Sequence, residues 1–176
     1  RGCLAQLKDE IGTLGCKKAL VVSDKFLTEN GVVEKVTKVL DQVGIEHTLY
    51  NDVKQNPSVA NVEGGLEVLK KENCDFIVSI GGGSPQDCGK AISVLATNGG
   101  KITDYEGVNK SQKKCLPIVA IATTAGTSAE VTINYVITDE ETHIKMIMVD
   151  RNTLASITVN DPELMLSKPA GLTEAT

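Results

Sequence analysis

From residue 19 to residue 122, short apolar runs alternate with longer amphipathic stretches, and this alternation limits the fold more than any other feature. The apolar runs predict strands at 19–22, 45–50, 76–80 and 116–122. The stretches between them predict helices at 28–43, 58–71 and 85–96. Strands joined through helices pair in parallel, because a parallel connection needs a long crossover. The pattern therefore predicts an α/β protein, a Rossmann-like parallel sheet with helices on both faces.

After residue 122 the strand–helix alternation ends and the sequence pattern changes. Two β-rich stretches at 131–138 and 144–150 flank a polar turn and predict a β-hairpin near the C-terminal part. Residues 169–176 resemble the first turns of a further helix. With 176 residues, of which 41% are hydrophobic and 23% charged, the chain has the length and balance of one globular domain.

The net charge and the cysteines limit which partners and which cellular compartment the sequence is compatible with. The formal net charge of −5 argues against a nucleic acid or an acidic membrane as partner, because both require a basic face. No apolar run approaches the ~18 residues of a membrane span, and no signal segment opens the chain. Five cysteines, none at C-x-x-C spacing, favour reduced thiols in a cytoplasmic protein over a disulfide framework or zinc ribbon.

Three consecutive glycines, 81–83, follow the third predicted strand, where open parallel sheets bind their ligands. Ser84 is placed to cap the next helix, Pro85 suits its first position, and Asp87 could complete a capping box. Glycines allow close approach to a phosphate, and a helix start attracts anions. The alternative is a tight strand-to-helix turn. The motif is neither G-x-G-x-x-G, because Gln86 stands at the last glycine, nor a Walker A loop.

The other strand ends carry further candidates. Residues 123–127, Thr-Thr-Ala-Gly-Thr, offer hydroxyl donors for phosphate or ribose, or else form a solvated loop. Asp24 could accept hydrogen bonds from an adenosine ribose, or else simply start a helix. Lys145 in a predicted strand reads first as an edge or solvent residue. The only histidines, His47 and His143, lie far apart and form no metal motif.

Two motifs together resemble a known family. Residues 81–91, GGGSPQDCGKA, resemble the G-G-G-S-x-x-D-x-x-K signature of iron-containing (group III) alcohol dehydrogenases. Residues 123–131, TTAGTSAEV, are similar to the same family's T-T-x-G-T-x-[SA]-E-[VL]. Similar segments also occur at 19–24, 56–58 and 160–164, in the family's order and across nearly the whole chain. The branch that it resembles includes lactaldehyde reductase, 1,3-propanediol dehydrogenase and methanol dehydrogenase.

The resemblance implies that residues 1–176 form the NAD-binding domain of an NAD-dependent alcohol dehydrogenase, which interconverts an alcohol with an aldehyde or ketone. Asp24 would contact the adenosine ribose and, by repelling a 2′-phosphate, favour NAD over NADP. The resemblance also implies that Lys145 contacts the cofactor, whereas its position in the sequence alone indicates a solvent-exposed residue. The implied cofactor-binding residues are Asp24, Asn56, Gly82, Gly83, Ser84, Asp87, Thr123, Thr124, Thr127, Asn134, Lys145 and Leu164.

The family also holds iron or another divalent metal with one Asp and three His, which polarises the substrate oxygen. The resemblance places all four ligands beyond Thr176. It therefore predicts that this chain alone holds no metal, has no catalytic residue of its own and turns over little alcohol. Two alternatives stay open: a non-catalytic nucleotide-binding module, and a glycerol dehydrogenase-like relative that uses zinc. Family members often dimerise, so a homo-oligomer is a further alternative, and the sequence leaves the oligomeric state open.

Overall fold

The computed structural model describes residues 1–166, so the helix predicted at 169–176 lies outside the described residues. The strands are β1 (Lys18–Val22), β2 (Glu46–Tyr50), β3 (Phe76–Gly81), β4 (Gly107–Val108), β5 (Ile118–Ala122), β6 (Asn134–Asp139), β7 (Ile144–Val149) and β8 (Ile157–Val159). The α-helices are α1 (Leu7–Ile11), α2 (Lys25–Glu29), α3 (Val32–Gln42), α4 (Val59–Lys71) and α5 (Gly83–Asn98).

Five strands form one parallel sheet in the order β2-β1-β3-β5-β8. The Rossmann-like fold predicted from the alternating pattern is thereby confirmed. The sequence pattern did not reveal β8, because it is only three residues long and its middle residue is the polar Thr158. Since all five strands run the same way, their carboxyl ends meet at one edge of the sheet.

Both faces of this sheet are covered, and the side chains of β1 show how. Leu20 and Val22 pack in one core cluster with residues of α4 and α5, whereas Ala19 and Val21 pack in a second cluster with residues of α1 and α3. Successive side chains of a strand point to opposite faces, so a continuous apolar run is what a doubly covered strand requires.

One predicted helix is wrong in its extent. The stretch 28–43 was predicted as a single helix, but the structure has α2 and α3 with a break between them. Gly31 lies at this break with φ of 73°, a conformation that a helix interior does not contain and that glycine adopts at little cost. The apolar stripe that prompted the prediction survives in α3, where Val32, Val36 and Leu40 are buried.

The predicted hairpin is present as the antiparallel pair β6 and β7, and β4 adds a short third strand. This second sheet contacts the first through the start of α4. The Thr138 N–H donates to the Pro57 carbonyl at 2.8 Å, and Ser58 forms an isolated bridge with Thr138. The hairpin is therefore held beside the carboxyl edge of the parallel sheet.

All five cysteines fall within the described residues, and none forms a disulfide. None of the helices in residues 1–166 combines the length and the apolar character that a bilayer crossing needs.

Candidate functional site

A pocket of about 410 Å³ opens at the carboxyl edge of the parallel sheet. Loops after β1, β2, β3 and β5 contribute to it. Five of the residues predicted from the sequence line it: Asp24, Gly82, Gly83, Ser84 and Thr124. A larger cavity of about 580 Å³ lies beside Lys17 and Gly44, near the amino ends of β1 and β2, and contains none of the predicted residues.

The glycine turn, residues 81–84, is shaped by its lack of side chains. Gly81 has φ of 153°, and a Cβ there would lie 2.5 Å from Cγ of Pro85. A Cβ on Gly82 would lie 2.9 Å from Cγ2 of Thr124. Any other residue at these two positions would push against Pro85 or Thr124, so the glycines let the backbone approach both neighbours.

The start of α5 differs from the prediction. Ser84 was expected to cap the helix and Asp87 to complete a capping box, but the N-cap is Gly82, and no side chain caps the helix. Gly82 supplies the extended backbone that an N-cap needs, so the helix begins earlier, at Gly83. Because no side chain caps the helix, the N–H groups of Gly83 and Ser84 are left for a ligand, and the positive end of the helix dipole lies at the pocket that these residues line.

The threonine loop, residues 123–127, lies against the glycine turn. Thr123 is buried, and its N–H donates to the Gly81 carbonyl at 3.1 Å. Oγ1 of Thr124 is buried without a hydrogen-bond partner, a costly state for a hydroxyl group. Thr127 is exposed, and a Cβ on Gly83 would lie 3.5 Å from its Cγ2. The structure therefore brings the two predicted loops together across the pocket.

Asp24 combines both roles considered for it. Its carboxylate Oδ1 accepts the Leu27 N–H at 2.8 Å and so caps α2, as a helix-start acid should. It also lines the pocket, where its second carboxylate oxygen is left for other donors.

A chain of hydrogen bonds connects the hairpin to the glycine turn. Nζ of Lys145 donates to Oδ1 of Asn56 at 2.9 Å, and the Asn56 N–H donates to Oγ of Ser84 at 3.3 Å. Asn56 has φ of 55°, which asparagine tolerates better than most residues. Three predicted residues thus lie together, although they come from three different parts of the sequence.

Seven of the twelve predicted residues do not line this pocket. Asn56, Thr123, Thr127 and Lys145 lie beside it, as described above, and the other three are Asn134, Leu164 and Asp87. Asn134 is exposed at the start of β6. Leu164 is buried in the core cluster shared with α1 and α3. Asp87 accepts the Val136 N–H, and burial raises the pKa of its carboxyl to about 6, although Val136 and the Lys90 ammonium oppose that rise. Asp87 therefore connects α5 to the hairpin, and its contact with a cofactor stays a prediction, as do those of the other two.

Five lining residues were not predicted: Phe26, Val53, Lys54, Gln55 and Pro85. Four of them lack any motif. Lys54 follows β2 and brings a positive charge to a pocket that also contains Asp24. The only signal for it was its place after a predicted strand, a place that many surface lysines share.

Next to the glycine turn lies a buried polar network that the sequence did not reveal. Nε2 of Gln86 donates to the carbonyl of Ile121 at 3.0 Å and to that of Ser79 at 3.3 Å, while its Oε1 accepts from the Ser79 hydroxyl. Oγ of Ser23 donates to the Ile80 carbonyl at 2.9 Å. The sequence analysis considered Gln86 only because it replaces the last glycine of a G-x-G-x-x-G motif. In the structure it joins the ends of β3 and β5 below the two loops.

No group of three or more His, Cys, Asp or Glu side chains within residues 1–166 is arranged to hold a metal ion. We therefore assign no metal ligand to the described part of the chain.

The fold and the two loops define an α/β protein with a Rossmann-like sheet and a pocket at its carboxyl edge. Comparison with known proteins makes the assignment more specific. The family described as "Iron-containing alcohol dehydrogenase" matches residues 1–162. The chain belongs to the iron-containing alcohol dehydrogenase family.

Relatives of the predicted branch are among the matches. The chain is 51% identical to alcohol dehydrogenase 4 of Schizosaccharomyces pombe, covering 100% of this chain and 42% of the relative. It is 44% identical to NAD-dependent methanol dehydrogenase of Bacillus methanolicus, covering 100% of this chain and 46% of the relative. A crystal structure of 1,3-propanediol oxidoreductase matches with a TM-score of 0.96 and 44% identity, over 99% of this chain and 46% of that one. The chain thus spans less than half the length of these relatives.

Proposed function

We propose that this chain is the cofactor-binding portion of an NAD-dependent, metal-dependent alcohol dehydrogenase that interconverts an alcohol with an aldehyde or ketone. The observation that carries the proposal is the meeting of the glycine turn and the threonine loop at the carboxyl edge of a parallel sheet. Membership in the family and the match to an NAD-dependent methanol dehydrogenase support the choice of NAD and of an alcohol.

The pocket fits a dinucleotide pyrophosphate. The absence of a Cβ on Gly82 lets its backbone lie close to Thr124, and Oγ1 of Thr124 is a buried hydroxyl without a partner. The first turn of α5 adds N–H donors and a positive dipole end, to which phosphate oxygens bind. In this proposal Gly82, Gly83 and Ser84 bind the pyrophosphate, while Thr124 donates to it and thereby gains its missing partner.

Asp24 would bind the adenosine ribose. Its Oδ1 is engaged by the Leu27 N–H, which orients the carboxylate, and Oδ2 would accept a ribose hydroxyl. A second negative charge at the 2′ position would be repelled, so we propose NAD rather than NADP. Thr123 and Thr127 complete the threonine side of the same subsite.

The nicotinamide side of the cofactor would lie toward the hairpin. Lys145 and Asn56 are already hydrogen bonded to each other at 2.9 Å, which fixes the lysine ammonium beside the glycine turn. Asn134 begins the neighbouring strand β6. Bound there, NAD would supply the hydride acceptor for oxidation of the alcohol carbon.

We also propose that these 176 residues bind the cofactor but by themselves turn over little alcohol. The resemblance requires three histidine ligands for the metal, whereas the chain contains two histidines, one in β2 and one between β6 and β7. A dehydrogenase assay with ferrous iron and a range of small alcohols tests this point. Metal-dependent turnover by the 176-residue chain would refute it.

Calorimetric titration with NAD tests the binding site directly. We expect saturable binding in the wild type and its loss in Gly83→Val, because the added methyl groups would extend toward Thr127 and fill the gap between the two loops. Gly12→Val is the matched control, since a Cβ there meets nothing within 4 Å and Gly12 lies outside the pocket. Absence of wild-type binding at millimolar NAD, or equal binding by both variants, would contradict the proposal.

A further inference from the structure

Lys90 is a lysine buried in the core side of α5, with only 1% of its surface exposed. Its Nζ donates to three backbone carbonyls: those of Ala129 at 2.7 Å, Thr132 at 2.7 Å and Asn134 at 2.8 Å. A lysine ammonium has three N–H donors and no acceptor, so all of its hydrogen-bonding capacity is used on these carbonyls.

The three carbonyls belong to the segment 127–134, which leads from the threonine loop into β6. The segment is irregular. Ser128 has φ of 52°, and the Val131 N–H donates back to the Ser128 carbonyl at 3.1 Å. Carbonyl dipoles that converge on one point repel each other, so the arrangement depends on a cation with three donors at its centre.

The same helix that carries Lys90 begins at the glycine turn. Lys90 lies about two helical turns from Gly83, and α5 is one continuous helix between them. A bond from Lys90 to the segment 127–134 therefore connects the two loops that face each other across the pocket. Thr127 lies at one end of that segment and Asn134 at the other.

We infer that Lys90 is a positioning residue for cofactor binding, which holds the segment 127–134 on α5 so that the threonine loop stays opposed to the glycine turn. The inference rests on the proposed function, because it assumes that these two loops bind the cofactor. Lys90 itself does not line the pocket, so it acts through Thr127 and Asn134 rather than by contact.

Two carboxylates bear on the charge of Lys90. Burial lowers the pKa of its ammonium to about 8, and the negative charges of Asp87 on α5 and Glu130 on the segment partly oppose that effect. Glu130 is itself held, since its Oε1 accepts from Nδ2 of Asn160 at 3.2 Å. Loss of the proton would leave Lys90 with two donors for three carbonyls, which weakens its hold on the segment.

Lys90→Met tests the inference, because methionine keeps the length of the side chain and removes the donors. The control is Ile92→Val, a core substitution on the same helix that lowers stability without touching the segment 127–134. We expect the NAD affinity of Lys90→Met to fall by about tenfold or more, and that of Ile92→Val to stay within about twofold of the wild type.

Amide hydrogen exchange separates positioning from general destabilisation. In Lys90→Met we expect faster exchange confined to residues 127–134, with β1 and β3 unchanged, whereas Ile92→Val should show no such local effect. A further readout is the pH profile: wild-type NAD affinity should fall from about pH 7 to about pH 9.5 as Lys90 loses its proton, and this fall should be absent in Lys90→Met.

Equal NAD affinity and equal exchange in Lys90→Met and Ile92→Val would overturn the inference. If Lys90→Met does not fold, the wild-type pH profile decides, and a flat profile counts against the inference. If the wild type binds no NAD at any pH, the proposed function fails. The comparison of amide exchange in residues 127–134 between Lys90→Met and Ile92→Val then tests by itself whether Lys90 positions the loop.

Discussion

The glycine turn and the threonine loop line the same pocket but are held in different ways. The glycine turn is held mainly by its own neighbours in sequence, since Gly81 packs on Pro85 four residues later and the turn continues directly into α5. It also accepts a distant hydrogen bond, from the Asn56 N–H to Oγ of Ser84. The threonine loop depends on distant residues. Its hydrogen bonds reach back to Gly81, and the segment after it is bound by Lys90, 39 to 44 residues earlier in the chain.

This difference explains why one region was easier to predict than the other. A local turn leaves a signature in consecutive residues, here three glycines and a proline. A loop held from a distance leaves only hydroxyl groups, which also occur in solvated loops. The two regions should accordingly respond differently to substitution: the glycine turn through backbone strain, and the threonine loop through loss of distant partners.

The largest expected effect is on the glycine turn. Gly81→Ala places a Cβ 2.5 Å from Pro85 in a backbone with φ of 153°, so the free energy of unfolding should fall by about 3 kcal/mol. Gly83→Ala is the control, because its Cβ makes an ordinary contact at 3.5 Å and alanine favours the helix. Urea unfolding measures both, and equal losses would show that the turn is not held by local sterics.

Gln86 lies below both regions, and its loss should affect both. Gln86→Leu removes the donor to the carbonyls of Ser79 and Ile121 in a buried site, which should lower the free energy of unfolding by about 2 to 3 kcal/mol. Gln42→Leu on the exposed face of α3 is the control, with an expected change within about 0.5 kcal/mol. A loss of stability no greater than in the control would show that the hydrogen bonds of Gln86 do not stabilise the fold.

Asp87 joins the helix of the glycine turn to the hairpin, and its titration should be visible in stability. Because the folded-state pKa is about 6, above the ordinary value of 3.8, the folded protein binds more protons than the unfolded one between these pH values. Stability from this group therefore falls as pH rises from about 4 to about 6, by about 2 kcal/mol in total.

Asp87→Asn removes that titration and keeps an oxygen to accept the Val136 N–H. The difference in unfolding free energy, variant minus wild type, should grow over the same pH range and then stay constant. Comparing the two proteins cancels the other carboxyl groups, such as Asp161, whose pKa is lowered by backbone N–H donors and whose effect has the opposite sign. A difference independent of pH would mean that Asp87 is not buried as described.

The smallest effect is expected at Asp24, which has one local and one ligand-directed role. Asp24→Ala should lower stability by about 1 kcal/mol through loss of the cap on α2, whereas Asp24→Ser keeps a capping oxygen and should lose less. Both variants should bind NADP more tightly than the wild type does, because both remove the negative charge. Titration with NAD and NADP measures this. An unchanged preference for NAD over NADP would show that Asp24 does not contact the adenosine ribose.

Much of the fold could be predicted because it depends on local patterns. The strands predicted at 76–80 and 116–122 differ from β3 and β5 by at most two residues at either end, since an apolar run must be buried on both faces. The break at Gly31 was missed because the apolar stripe continues on either side of it. At the site, Asp24, Gly82 and Thr124 were found from motifs, but Lys54 and Gln86 were not, because nothing adjacent in sequence distinguishes them.

The sequence by itself determined the alternation of strands and helices, the carboxyl edge as the place for a ligand, and the glycine turn, because each follows from the properties of neighbouring residues. Only the tertiary structure decided that Lys145 and Asn56 meet beside Ser84, that Gln86 donates to the Ile121 carbonyl and that Lys90 is bonded to three carbonyls. Those contacts join residues 28 to 89 positions apart, and their partners are largely backbone carbonyls, which every residue has and no sequence pattern distinguishes.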